Sequence, residues 1–86
     1  MEFNKNICKE IIGKLQKGNY DISEDEKKQL KILVRVVNQQ VKEKGIIYQD
    51  VLIYNELMCI FITASGKIEW MNELMEEIGK VSKSNS

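Results

Sequence analysis

Ile46-Ile47-Tyr48-Gln49-Asp50-Val51-Leu52-Ile53-Tyr54-Asn55-Glu56-Leu57-Met58-Cys59-Ile60-Phe61-Ile62-Thr63-Ala64 is the stretch whose reading decides the fold. Its β-branched residues would allow a strand over residues 60–63. The apolar run is longer than an ordinary strand, however, and lacks period-two alternation, so a helix starting near Tyr48 is expected. That helix is apolar on nearly every side, which belongs at the centre of a bundle. The segment is therefore expected to be the buried axis of the fold. Asp50, Asn55 and Glu56 are expected to reach solvent or satisfy loop backbone. Any of them that is buried needs a partner, a lysine or a tyrosine hydroxyl.

Ser65-Gly66 joins this helix directly to a one-sided segment, Lys67–Gly79. Ile68, Trp70, Met71, Leu74, Met75, Ile78 and Val81 fall on one broad side of it, with Glu69, Asn72, Glu73, Glu76 and Lys80 opposite. A stripe of this kind is read as core, not as a ligand box. The two helices form a hairpin, and the rest of the chain is expected to cover it.

Upstream, Phe3, Ile7, Cys8, Ile11, Ile12 and Leu15 mark an amphipathic helix over Asn4–Lys17 that stops at Gly18-Asn19. Ser23-Glu24-Asp25-Glu26 is a capping box, with Ile22 before it as a staple. The second helix is expected to run to Lys44 and stop at Gly45. Placed at about 100° per residue, it has three faces. Leu30, Leu33, Val34, Val37 and Val41 form a core stripe, and Lys27, Lys28, Lys31, Arg35, Asn38 and Lys42 a basic face. Ile32 and Val36 lie off both, either packed under the first helix or forming a small exposed contact patch.

The chain of 86 residues contains no proline, which suits helices interrupted only at its glycines. One core is all it can build, burying about 60% of the unfolded surface. The expected architecture is all-α, an antiparallel four-helix bundle over residues 1–81, with a flexible tail at residues 82–86. Thirteen Lys and Arg balance thirteen Asp and Glu, so no global field steers the chain toward nucleic acid. The longest unbroken apolar run, Leu57–Ile62, is far short of the ~20 residues needed to cross a bilayer. A soluble, cytoplasmic protein is expected. Cys8 and Cys59 read as two buried free thiols, with a disulfide between the first and third helices as the alternative.

Catalytic chemistry finds little to work with. There is no histidine, and Gly13-Lys14, Gly66-Lys67 and Gly79-Lys80 complete no phosphate-binding loop. No metal or cofactor site is expected, and no enzyme. Only a pocket holding Asp50 or Glu56 beside a buried lysine would revive that possibility.

Three stretches carry a resemblance: Val51-Leu52-Ile53-Tyr54-Asn55-Glu56-Leu57, Phe61-Ile62-Thr63-Ala64-Ser65-Gly66-Lys67-Ile68, and Glu73-Leu74-Met75-Glu76-Glu77-Ile78-Gly79-Lys80. With the acidic start and length of Ser23–Lys44, they make residues 21–81 similar to the immunity proteins of pediocin-like (class IIa) bacteriocins. The resemblance implies a cytoplasmic helical bundle of a Gram-positive bacterium that protects the cell from a pore-forming peptide. It implies action from inside the cell on the membrane receptor, the mannose permease, once bacteriocin has engaged it.

Specificity would reside in the C-terminal half, here Tyr48–Ser86. Lys31, Arg35, Lys67, Lys80 and Lys83 are the candidate partner-binding residues, and peripheral contact with the membrane is left open. The chain departs from the family's pattern in its short tail and its neutral charge. The alternative is a small helical regulator or adaptor, such as a phage would carry, that binds another protein through Ile32, Val36 and the basic face.

Overall fold

The computed structural model describes residues 2–64 and 68–84, with side chains described as far as Glu76. It is an all-α, antiparallel four-helix bundle: α1 (Lys5–Gln16), α2 (Glu24–Glu43), α3 (Tyr48–Thr63) and α4 (Glu69–Ser84). α2 touches the other three helices, α3 packs on α1 and α2, and α4 rests on α2. The central member is thus α2 and not α3.

Local chemistry explains where the helices start and stop. Asn4 caps α1, its side chain accepting from the Ile7 amide at 3.1 Å. The Ser23 hydroxyl accepts from the Glu26 amide at 3.1 Å, while the Glu26 carboxylate accepts from the Ser23 amide at 2.9 Å, completing the expected capping box. The other oxygen of Glu26 takes the Lys14 ammonium at 3.0 Å, joining the end of α1 to the start of α2. Hydrogen bonds from the Ser23 backbone and from Lys14 hold this carboxyl below its ordinary range. Its stabilisation is therefore present above the ordinary glutamate pKa and is lost as pH falls through the lowered value. Ile22 is buried, but the fourth residue of α2 is Lys27, so Ile22 anchors the connection by entering the core and not by a staple.

Both α1 and α2 end in paired backbone bonds of the Schellman type. At α1, Gly18 donates to the Leu15 carbonyl and Asn19 to that of Lys14, each at 3.0 Å, with Gly18 at φ 84°. At α2, Gly45 donates to the Gln40 carbonyl at 3.0 Å and Lys44 to that of Val41 at 3.2 Å. The left-handed residue here is Lys44, at φ 59°. The helix therefore stops one residue earlier than the glycine suggests, and a side chain occupies the position glycine would fill without strain. Lys44→Gly should raise stability by about 1 kcal/mol, read as a higher midpoint in urea with an unchanged slope.

The core gathers Cys8, Ile11, Ile12 and Leu15 from α1, Leu30, Leu33, Val34 and Val37 from α2, Ile53, Leu57 and Phe61 from α3, and Met71 and Leu74 from α4. Val41, expected in the core stripe, is 55% exposed. α2 has eight more residues than α1, 20 against 12, so its last turns outrun α1 by about 12 Å.

The larger correction concerns α3. Only Asp50, Ile53, Leu57 and Phe61 of this helix are buried, while Tyr48, Leu52 and Ile62 are exposed. α3 is a one-sided helix whose outer side is also apolar. Cys59, expected to be buried, lies on that outer side as a free thiol, and Cys8 is free and buried. Ile68, just before α4, and Met71 and Leu74 within it are buried as expected and Trp70 is half-buried, but Met75 is exposed. The helix continues past Gly79 to Ser84, so the residues expected as a tail from position 82 are helical through Ser84. The side chains of Ile78 and Val81, and all of Ser65, Gly66 and Lys67, lie outside the described residues. Among the described residues no helix is long and apolar enough to cross a membrane.

Candidate functional site

The most concentrated polar arrangement lies where α1, α2 and α3 meet. Asp50, in the first turn of α3, is 3% exposed. Its Oδ2 accepts from Gln40 Nε2 at 2.8 Å, and the Lys5 ammonium stands 3.1 Å from Oδ1. That ion pair is not aligned as a hydrogen bond, so Oδ1 has a charge partner but no donor among the described residues. A lysine beside a buried Asp50 is the partner the sequence anticipates. Gln40 was not anticipated: its Oε1 accepts the Ile47 amide at 3.1 Å, at the start of a helix with no side-chain cap of its own. One amide from α2 thus stands between the carboxylate at the third residue of α3 and the N-cap amide, bridging a capping box that would otherwise close within α3.

This cluster fastens three helix ends together. The surface hollows described below are lined by other residues, except that Gln40 edges one of them. Among the described residues, no three His, Cys, Asp or Glu side chains gather to hold a metal ion.

A second amide, the buried Gln29, holds the N-terminal segment. Its Oε1 accepts the Asn4 amide at 2.9 Å and its Nε2 donates to the Glu2 carbonyl at 2.8 Å, imitating a backbone pair. Cys8 lies beneath, donating to the Gln29 carbonyl at 3.7 Å. Burial, with a smaller contribution from Asp50, pushes its thiol up to about 11. At neutral pH it is an inert thiol.

The outward side of α2 presents a different surface. Lys28, Lys31 and Arg35 line a shallow hollow with Ile32, and Ile32, Arg35, Val36, Gln39 and Gln40 line the next along the helix. Ile32 and Val36 are half-buried and stand outside the hydrophobic core. They line surface hollows and are not among the side chains packed on the core. The expected basic face is narrower than its sequence. Lys27 is taken up by Glu24 at 3.0 Å and lies 6.0 Å from the centre of the Trp70 ring. The same bond from Lys27 lowers the Glu24 pKa. Asn38 is half-buried, with a buried Nδ2 that has no hydrogen-bond partner among the described residues.

Trp70 fixes α4 to the α1–α2 connection through Nε1, which donates to the Tyr20 carbonyl at 3.1 Å. Beside it, Lys27, Lys28 and Lys31 of α2 and Glu73 of α4 share a narrow hollow. A wider one, of about 460 Å³, opens between α1 and α3 and is lined by Leu15, Tyr20, Glu56, Cys59, Ile60 and Thr63.

The structure thus brings Lys31 and Arg35 together on α2 with Lys28, Ile32 and Val36. Lys67 lies outside the described residues, as do the side chains of Lys80 and Lys83. Lys28, on the same face in the sequence, belongs with the candidate residues because it shares a hollow with both Lys31 and Arg35. No protein-family model, no curated protein and no solved structure matches this chain.

Proposed function

We propose that this chain is a bacteriocin immunity protein of the pediocin-like kind, acting in the cytoplasm by binding a permease and the bacteriocin engaged with it. The observation that carries the reading is the ridge on α2, where Lys28, Lys31 and Arg35 border Ile32 and Val36, with Glu24 and Glu73 in the neighbouring hollow. Clustered cations beside modest apolar area suit a partner that is acidic or lies against an anionic bilayer. The helical bundle and the sequence words Glu73–Lys80 and Phe61–Ile68 support the same reading. Its mechanism is occupancy: the bundle holds the ridge rigid and blocks or sequesters the receptor-pore complex without bond chemistry.

Expression in a sensitive host challenged with a panel of class IIa peptides tests it. Protection against at least one peptide is expected. The double reversal Lys31→Glu with Arg35→Glu should lower that protection by tenfold or more, on the order of 1.4 kcal/mol in binding, with an unchanged melting curve. Unchanged killing by every peptide would refute the reading. The apolar half of the ridge, Ile32 and Val36 beside Gln39, also fits a helical adaptor. Recovery of a transcription factor or kinase in place of permease subunits would favour that second reading.

A further inference from the structure

The outer side of α3 is unusual for a surface. Its most outward residues are Tyr48, Leu52, Asn55, Cys59 and Ile62, all exposed, and Val51 and Met58 beside them are half-buried. Ile46 and Ile47, leading into the helix, are exposed as well. None of these nine residues is charged, though Val51 and Met58 also pack against the core and the exposed Glu56 borders the stripe beside Leu52 and Cys59. An apolar stripe of this extent on a small bundle marks an interaction site. The five outward positions are spaced four, three, four and three residues apart. That is the seam of a two-stranded helical pair, one side only of which is present in this chain.

We propose that the missing side is a second copy of this chain, with the two α3 helices packed antiparallel about a twofold axis. Such an interface is self-complementary, so each residue must be acceptable opposite its symmetry mate's neighbours. With the axis crossing between Ile53 and Tyr54, Tyr48 lies opposite Cys59 of the second copy and Leu52 opposite Asn55. Ile62 then reaches the exposed Ile46 of the other chain. Tyr48, Leu52 and Ile62 each gain an uncharged neighbour, while the exposed Glu56 at the edge of the stripe falls opposite Val51 of the second copy and stays at the rim.

Charge also chooses the direction. Lys42 and Lys44 stand just ahead of α3 and are exposed. An antiparallel pair brings them to the carboxyl end of the other α3, where unpaired carbonyls carry partial negative charge. A parallel pair would set these lysines against one another. The zero net charge of the chain leaves no long-range repulsion between copies.

The seam is short. Sixteen residues span about 24 Å, at the lower end of specific interfaces, so the dimer should be weak, forming at ~100 µM and dissociating near ~1 µM. Asn55, the one amide among the five, costs affinity and helps fix the register.

Sedimentation and light scattering over that concentration range test the dimer directly. The wild type should pass from monomer to dimer, and Leu52→Glu, which places two carboxylates near the twofold axis, should abolish the dimer. Ile62→Lys serves as a second variant, since its side chain is 78% exposed and its charge leaves the core untouched while falling near Lys42 and Lys44 of the second copy. Both should melt as the wild type does in dilute solution.

Direction is tested by oxidation. In the antiparallel pair the two Cys59 residues are about 16 Å apart along the seam, beyond disulfide reach, so oxidised wild type stays unlinked. Tyr48→Cys sets each new thiol opposite Cys59 of the second copy and should yield a covalent dimer. Within one chain the two positions are also about 16 Å apart and cannot join. A monomer at ~100 µM, a dimer indifferent to both charged substitutions, or wild type linked through Cys59 would each overturn the proposal. The readout is mass and not protection, so its outcome is separate from that of the immunity assay.

Discussion

Replacing Leu57 with alanine is expected to cost about 3 kcal/mol, whereas Ile62→Ala on the same helix should change stability by less than about 0.5 kcal/mol. Leu57 has no exposed surface and sits among residues of the bundle core. Truncating it removes transfer energy and leaves a cavity. Ile62 projects outward, 78% exposed, and its methyl groups lose little contact when removed. For a domain of this size the first change should lower the melting temperature by about 15 °C. Thermal unfolding followed by circular dichroism at low protein concentration checks both variants side by side. Equal, large losses at the two positions would mean that α3 is enclosed on every side, as its composition suggests.

The second large effect is expected at Gln40. Gln40→Ala deprives the buried Asp50 of its only hydrogen-bond donor among the described residues, and the Ile47 amide of its acceptor. Leaving such groups unpaired should cost about 2 kcal/mol. Gln40→Glu has a more telling signature. It can still accept from Ile47, but it sets a second carboxylate against Asp50, where one of the two is driven to hold a proton and its folded-state pKa rises above the ordinary value. A raised pKa means stability that is present at low pH and lost as pH rises through it. The glutamate variant should therefore be weakest relative to wild type near pH 7 and recover below about pH 5, a trend readable in urea midpoints at the two values. The alanine variant, having no added charge, should show no such recovery.

The fold was legible in the sequence wherever a local rule had one solution. Ser23 and Glu26 announced a helix start, Gly18 an end, and the spacing of Cys8, Ile11, Ile12 and Leu15 the buried side of α1. α3 resisted for a physical reason. Periodicity assigns a buried side only by contrast with a polar one, and Tyr48–Thr63 offers almost none. Average hydropathy then reads as enclosure, when Tyr48, Leu52, Cys59 and Ile62 all face outward.

Gln29 and Gln40 were hidden for the opposite reason, because a single polar residue beside a core stripe looks like a boundary position. Their work depends on backbone groups of Glu2, Asn4 and Ile47 that only the packed chain brings near. Asp50 was half legible: its need for a partner could be stated in advance, though not that Lys5 would meet it. On α2 the cations were visible but their division was not, since Lys27 turns to Glu24 and Trp70 while Lys28, Lys31 and Arg35 border the hollow.

The two cysteines have a consequence for how the molecule can be observed. Cys59 lies open on α3, and Cys8 is sealed under the Glu2–Asn4 segment that Gln29 holds in place. A thiol reagent reaches the first without any opening of the fold and the second only when the bundle opens around it. The chain thus carries its own reference and its own clock: one thiol counts molecules, and the other counts their openings.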